Sequence, residues 1–151
     1  MRRKDREISL QDAINILNKG EYGVLATCGS DDHPYAVPLN YVYFDNSIYF
    51  HCANEGHKLD NIVFNEKVSF CVVGAAKVLP EQFSTLYEST IVFGRAKKVF
   101  GEEKRNALVK LIEKYSKDYL EEGLKYIDNE WDKVCVIKIE IEKITGKAKR
   151  L

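Results

Sequence analysis

The chain of 151 residues carries no net charge, because 23 lysines and arginines face 23 aspartates and glutamates. Without a field of one sign, nothing draws it to nucleic acid or to an anionic membrane surface. No apolar run approaches the roughly 18 residues that cross a bilayer. The charged start, Met1 to Glu7, leads into no apolar signal core. A cytoplasmic protein with no nucleic-acid or membrane partner is expected. The glycine loops of Rossmann and P-loop proteins are missing, which disfavours their chemistry. So is a Gly-x-Ser-x-Gly elbow, and no cysteine–histidine nucleophile pair can be read along the chain. Cys28, Cys52, Cys71 and Cys135 lie in apolar, strand-like runs without metal-site spacing, and read as buried reduced thiols. His33, His51 and His57 have no acidic neighbours at triad spacing, so no metal is expected. An enzyme lacking all of these needs a cofactor to carry its reaction.

What is present is a patterned globular chain. Its 45% hydrophobic content supports a core, and the absence of linkers or repeats predicts one domain over residues 1–151. Ser9 is placed to cap a first helix, with Leu10, Ala13, Ile14 and Leu17 as its apolar face and Gly20 as its stop. Strands are expected at 22–28, 35–44, 47–53, 68–74, 87–100 and 134–144. Asp45-Asn46-Ser47 forms a hairpin turn between the second and third. Pro38 must lie at an edge, a bulge or a ligand-facing position, since it cannot donate to a ladder. Gly94 marks a bulge or a close approach. A short helix over 58–65 presents Leu59, Ile62 and Val63, and helices follow at 102–115 and after Ser116. One helical turn is possible at 80–83. Trp131 is either core or the edge of a pocket. The basic tail from Gly146 to Leu151 reads as a solvated end. Strands that follow one another through tight turns pair antiparallel. An α+β fold results, a six-stranded antiparallel barrel with flanking helices.

The stretch 35–58 organises this pattern. Its third strand opens through Asn54-Glu55-Gly56 into His57-Lys58 and a helix start. Gly56 permits a positive φ, the helix start leaves N–H groups free, and Lys58 and His57 add positive charge or donors. Phosphate meets all of these needs, whereas the plain alternative is a solvated loop. His51 sits on the preceding strand, either as a structural hydrogen-bonder or as a reactive group.

Several segments in order carry a family resemblance. They are residues 2–7, Pro34-Tyr35-Ala36-Val37-Pro38-Leu39-Asn40-Tyr41, Ile48-Tyr49-Phe50-His51-Cys52-Ala53, Glu55-Gly56-His57-Lys58, 87–96 and Ile144-Thr145-Gly146-Lys147. The chain resembles the pyridoxamine 5′-phosphate oxidase-like flavoproteins, the FMN-binding split barrels, and within them the branch related to 5-nitroimidazole resistance proteins. The resemblance implies a split β-barrel homodimer with FMN at the subunit interface. Backbone of Val37, Pro38, Leu39 and Asn40 would meet the flavin ring, and His51, Cys52 and Ala53 would run beside it. His57 and Lys58 would hold the phosphate. Glu88 and Ser89 would approach the cofactor from the long strand, in one protomer or its partner. His51 matches the histidine implicated in the chemistry of the nitroimidazole-related branch. The implied activity is an FMN-dependent oxidoreductase reducing a nitro-heteroaromatic or other small electron-poor substrate, with NAD(P)H as a candidate donor. His57 stands where the true oxidases carry arginine, and their strongly basic substrate site has no counterpart, so pyridoxamine phosphate oxidation is disfavoured. The alternative is a non-catalytic flavin- or haem-binding dimer that stores or senses.

Overall fold

Asp45 and Asn46 both adopt positive φ, at 48° and 51°. Two such residues make the tight turn whose twist matches paired strands, and they join β3 (Val42–Phe44) to β4 (Ser47–Ala53). In this computed structural model, which describes residues 1–150, the hairpin is one end of a seven-stranded sheet. The order is β2-β1-β5-β6-β7-β4-β3, with every pair antiparallel. The other strands are β1 (Gly23–Cys28), β2 (Pro34–Leu39), β5 (Lys67–Leu79), β6 (Ser84–Val99) and β7 (Val134–Lys149). The α+β split barrel is therefore built from seven strands, not six.

The additional strand comes from the run at 35–44, which breaks at Asn40-Tyr41 into β2 and β3. β2 pairs with β1, and β3 pairs with β4. The corner between them is pinned from the helical layer. The Tyr115 hydroxyl accepts the Tyr41 N–H at 3.1 Å and lies 2.6 Å from the Glu21 carbonyl and 2.9 Å from the Tyr41 carbonyl. Lys114 Nζ donates to the Tyr41 carbonyl at 3.0 Å, and Asn40 Nδ2 to the Glu21 carbonyl at 2.9 Å.

β5 and β6 run further than expected, meeting over one 3₁₀ turn at Pro80–Gln82. β7 also continues past Ile144. Its last residues pair with the start of β6, Lys149 with Tyr87 and Lys147 with Ser89, so the basic tail is strand and not a solvated end. Leu151 lies outside the described residues. The bulge at Gly94 is present: the β6–β7 register slips between Phe93 and Gly94. A Cβ there would lie 2.2 Å from the Glu140 carbonyl oxygen.

Four helices flank the sheet. α1 (Leu10–Lys19) is capped by Ser9, whose Oγ accepts the Asp12 N–H at 3.1 Å. Its buried face is Ala13, Ile16 and Leu17, and Leu10 lies outside that face, exposed. α2 (His57–Phe64) buries Ile62 and leaves Val63 at 88% exposure, contrary to the expected apolar side. A single short helix on a barrel buries a narrower stripe than its composition suggests. α3 (Gly101–Tyr115) and α4 (Leu120–Glu130) cover a second core containing Val42, Tyr49, Leu108, Leu111 and Ile127. The first core fills the barrel around Tyr41, Phe50, Phe70 and Ile137. Trp131 packs half-buried on the second core, with Lys104 Nζ 4.2 Å from its ring centre. Of the cysteines only Cys135 is buried, and the other three are half-buried.

Candidate functional site

β2 and β4 leave the Asn40-Tyr41 corner as two one-sided edges. β2 has only β1 as a partner. β4 pairs with β3 through Ser47, Ile48 and Tyr49, and beyond these Phe50 to Ala53 have only β7. The barrel is therefore split between residues 36–40 and 50–53, and both edges hold backbone groups free of a ladder. Val37, Leu39 and Cys52 turn inward onto the barrel core. Alternation then places Ala36, Pro38 and Asn40 on the outer face of β2, and His51 and Ala53 on that of β4. Pro38 thus occupies an edge, where its missing N–H costs no ladder bond.

The far end of the split is closed by the loop after β4. The Tyr35 and His57 ring centres lie 4.5 Å apart. Gly56 has φ 147°, a conformation that side chains resist, and a Cβ there would touch nothing. Its constraint is therefore conformational. The first helical bonds of α2 run from Leu59 N–H and Asp60 N–H to the Gly56 carbonyl, at 2.9 and 3.1 Å. The N–H groups of His57 and Lys58 precede them and point out of the helix start. Two side-chain contacts, the first of them buried, hold this end in place. Asn61 Nδ2 donates to Thr27 Oγ1 at 2.9 Å, fixing α2 to β1, and Asn54 Nδ2 donates to the Asp132 carbonyl at 2.7 Å. Burial pushes the Cys52 thiol up to about 11 and the nearby Cys135 adds to this, while the Lys58 ammonium opposes both. Lys58 is thus close to the β4 edge as well as to the loop. Free N–H groups, a cation and an open glycine together form a cradle that fits a phosphate-bearing cofactor.

His51 borders a cavity of about 310 Å³ between α3, α4 and the ends of β4 and β7. Leu108, Leu111 and Ile127 form its apolar wall, and the Lys133–Glu130 ion pair, 3.2 Å, sits at its rim. Burial lowers the His51 pKa below its ordinary value of 6.5, although the side chain keeps one exposed side. The ring is therefore neutral at pH 7, with one donor and one acceptor nitrogen. The helical wall of this cavity was visible in the sequence only as the apolar stripes of the helices expected at 102–115 and after Ser116, Leu108 and Leu111 on the first and Ile127 on the second. Nothing in the spacing indicated that the stripes pass over His51. Lys114 and Tyr115, which hold the corner, carried no sequence signal of that role.

Glu88 and Ser89 are not brought to this place within one protomer. His51 pairs with Val136, but Ser89 pairs with Lys147, eleven residues further along β7. At ~3.3 Å per residue the two points are roughly 35 Å apart along the strand. The Glu88 carboxylate instead meets Arg150 at 3.0 Å. Among the described residues no three His, Cys, Asp or Glu side chains form a metal-binding group, and no helix is long and apolar enough to cross a membrane.

The family model for pyridoxamine 5′-phosphate oxidase matches residues 9–148. The chain belongs to this family. No curated protein matches the sequence. Among solved structures, a Bacteroides thetaiotaomicron protein provisionally assigned to 5-nitroimidazole antibiotic resistance is 25% identical. It superposes with a TM-score of 0.76 over 93% of this chain and 85% of its own. A conserved hypothetical protein of Mycobacterium tuberculosis has a TM-score of 0.83 at 21% identity, covering 98% of this chain and 89% of its own. An FAD- and haem-binding protein of Mycobacterium smegmatis has a TM-score of 0.82 at 17% identity, covering 97% and 74%. The last two likenesses speak for the fold alone.

Proposed function

We propose that the chain binds FMN in the split between β2 and β4 and works as a flavin-dependent oxidoreductase. Its substrate is a small electron-poor molecule of the nitro-heteroaromatic kind. The observation that carries this reading is the convergence of two unpaired strand edges on a cationic helix start. Family membership and the 25%-identical relative assigned to 5-nitroimidazole resistance support it. Backbone groups of Val37, Pro38, Leu39 and Asn40 read the polar edge of the ring. His51, Cys52 and Ala53 flank it, and the N–H groups of His57 and Lys58 with the Lys58 ammonium hold the phosphate. When bound, a flavin supplies two-electron transfer as hydride, with NAD(P)H as the donor in a cytoplasmic setting. His51, neutral at pH 7, orients the substrate by hydrogen bonding, and the adjoining 310 Å³ cavity takes the apolar part of that substrate.

The same reading includes a homodimer. One residue row runs outward-facing across five strands, Pro38, Val24, Cys71, Ile91 and Thr145, each the register partner of the next. It contains no charge. Val73, Ile91 and Phe93 on this face are 56%, 40% and 46% exposed in the single chain. Such a face asks for a cover, and the row begins at the Pro38 edge of the split and ends beside Ser89. A second copy seated on it lies against the cofactor edge and reunites Ser89 with that edge. Glu88 points to the opposite side of β6 and stays outside this surface.

The test is spectroscopic. Protein reconstituted with FMN is reduced anaerobically with NADPH or NADH and then reoxidised with a 5-nitroimidazole. Turnover supports the reading. Stable flavin binding without acceptor turnover establishes the non-catalytic binder instead. Failure to take up FMN in titration ends the flavin reading, and a haem band in its place assigns the other cofactor.

A further inference from the structure

β4 and β7 set two of the four cysteines face to face. Cys52 is the direct register partner of Cys135, and the nearby Cys135 thiol disfavours the Cys52 thiolate. Opposed residues of an antiparallel pair have Cα atoms about 4.5 or 5.5 Å apart, according to the pair type. Both separations fall within the roughly 4.4–6.8 Å that a disulfide spans, and the two side chains share one face. No other cysteines are opposed, since Cys28 faces Pro34 while Cys71 faces Val24 and Ile91.

We propose that Cys52 and Cys135 are a redox-active dithiol that closes to a cross-strand disulfide by exchange with a low-molecular-weight disulfide. Their unequal burial sets the order of events. Cys135 is 1% exposed, whereas Cys52 borders the 310 Å³ cavity and lies near the Lys58 ammonium, which favours its thiolate. The Cys52 thiolate attacks one sulfur of the small disulfide RSSR, forming a Cys52–SR bond and releasing one RS⁻. The Cys135 thiolate then attacks Cys52 Sγ, forming the Cys52–Cys135 bond and releasing the second RS⁻. The two protons leave with the two released thiols. The protein pair is oxidised by two electrons and RSSR is reduced by two. Few Cys52 thiols are ionised at neutral pH, so closure is slow. The bridge joins adjacent strands and is reopened by the same exchange run in reverse with an excess of small thiol. It staples β4 to β7 one residue from His51, in the wall of the cavity. The inference rests on the β4–β7 register and stands whether or not a flavin binds.

The full chain as purified is incubated with oxidised glutathione, alkylated in denaturant, and mapped by mass spectrometry. The expected result is loss of two alkylatable thiols of the four, a Cys52–Cys135 linked peptide, and full reversal by dithiothreitol. Cys135→Ser traps a glutathione adduct on Cys52, and Cys52→Ser leaves Cys135 unmodified. The double variant Cys28→Ser, Cys71→Ser still forms the link. Four free thiols after prolonged exposure, a bond involving Cys28 or Cys71, or an adduct on Cys135 in Cys52→Ser overturns the proposal. The wild-type map decides alone if a variant fails to fold.

Discussion

Lys58 is the side chain on which the phosphate reading depends most directly. A charge-assisted hydrogen bond contributes about 1.5–3 kcal/mol. Lys58→Ala is therefore expected to weaken FMN binding by about 10–100-fold in a fluorescence titration, and an unchanged Kd would remove Lys58 from the cradle. His51 gives a second, independent reading. Burial lowers its pKa from 6.5 in the folded chain, so between that lowered value and 6.5 the folded state holds fewer protons than the unfolded one. Stability is intact above pH 6.5 and declines as pH falls through this window. An NMR titration should place the His51 midpoint below 6.5, with His51→Gln abolishing that acid step. A midpoint at or above 6.5 would mean that the ring is not desolvated by the helical cover.

The break between β2 and β3 decides whether there is a split at all, and the Tyr115 hydroxyl makes three of the five polar contacts that pin it. Tyr115→Phe orphans the Tyr41 N–H and leaves the Glu21 and Tyr41 carbonyls without that partner. The expected cost is about 2 kcal/mol, a Tm lower by about 4–8 °C for a chain of this length, with weaker cofactor binding because the corner loosens. Calorimetry alongside the FMN titration checks both. Local signals explain what was legible in the sequence here. The turn at Asp45-Asn46, the Gly94 bulge and the Ser9 cap each depend on a few neighbouring residues. The break at Asn40-Tyr41 was hidden because its cause, Tyr115, is 74 residues away. The end of β7 was hidden for a different reason. Lys147 and Lys149 face outward while small Gly146 and Ala148 face inward, so the alternation has no large apolar member. Val63 and Leu10 were assigned to buried faces because composition does not reveal the width of the contact.

The assembled sheet presents a broad outer face with an uncharged central row. Ile91→Asp places a carboxylate in that row. Because Ile91 is 40% exposed in the single chain, folding should change little. Sedimentation should show a dimer converted to monomer, with a parallel loss of FMN affinity. A dimer that survives Ile91→Asp would put the interface elsewhere. The candidate site was legible in the sequence as separate segments, the β2 edge, the β4 edge and the cationic loop. Their meeting required the barrel, and its helical cover required the second core.

The placement of β7 has a kinetic consequence. It follows every other strand in chain order, yet it lies between β6 and β4 in the sheet. During synthesis the β3–β4 hairpin emerges about eighty residues before its long partner begins at Val134. At about 5–20 residues per second, it waits roughly 4–16 s with no sheet to join. The barrel thus closes in a late step over long sequence separations. Nascent chains in that interval, with their edges open, are the natural clients of a holding chaperone.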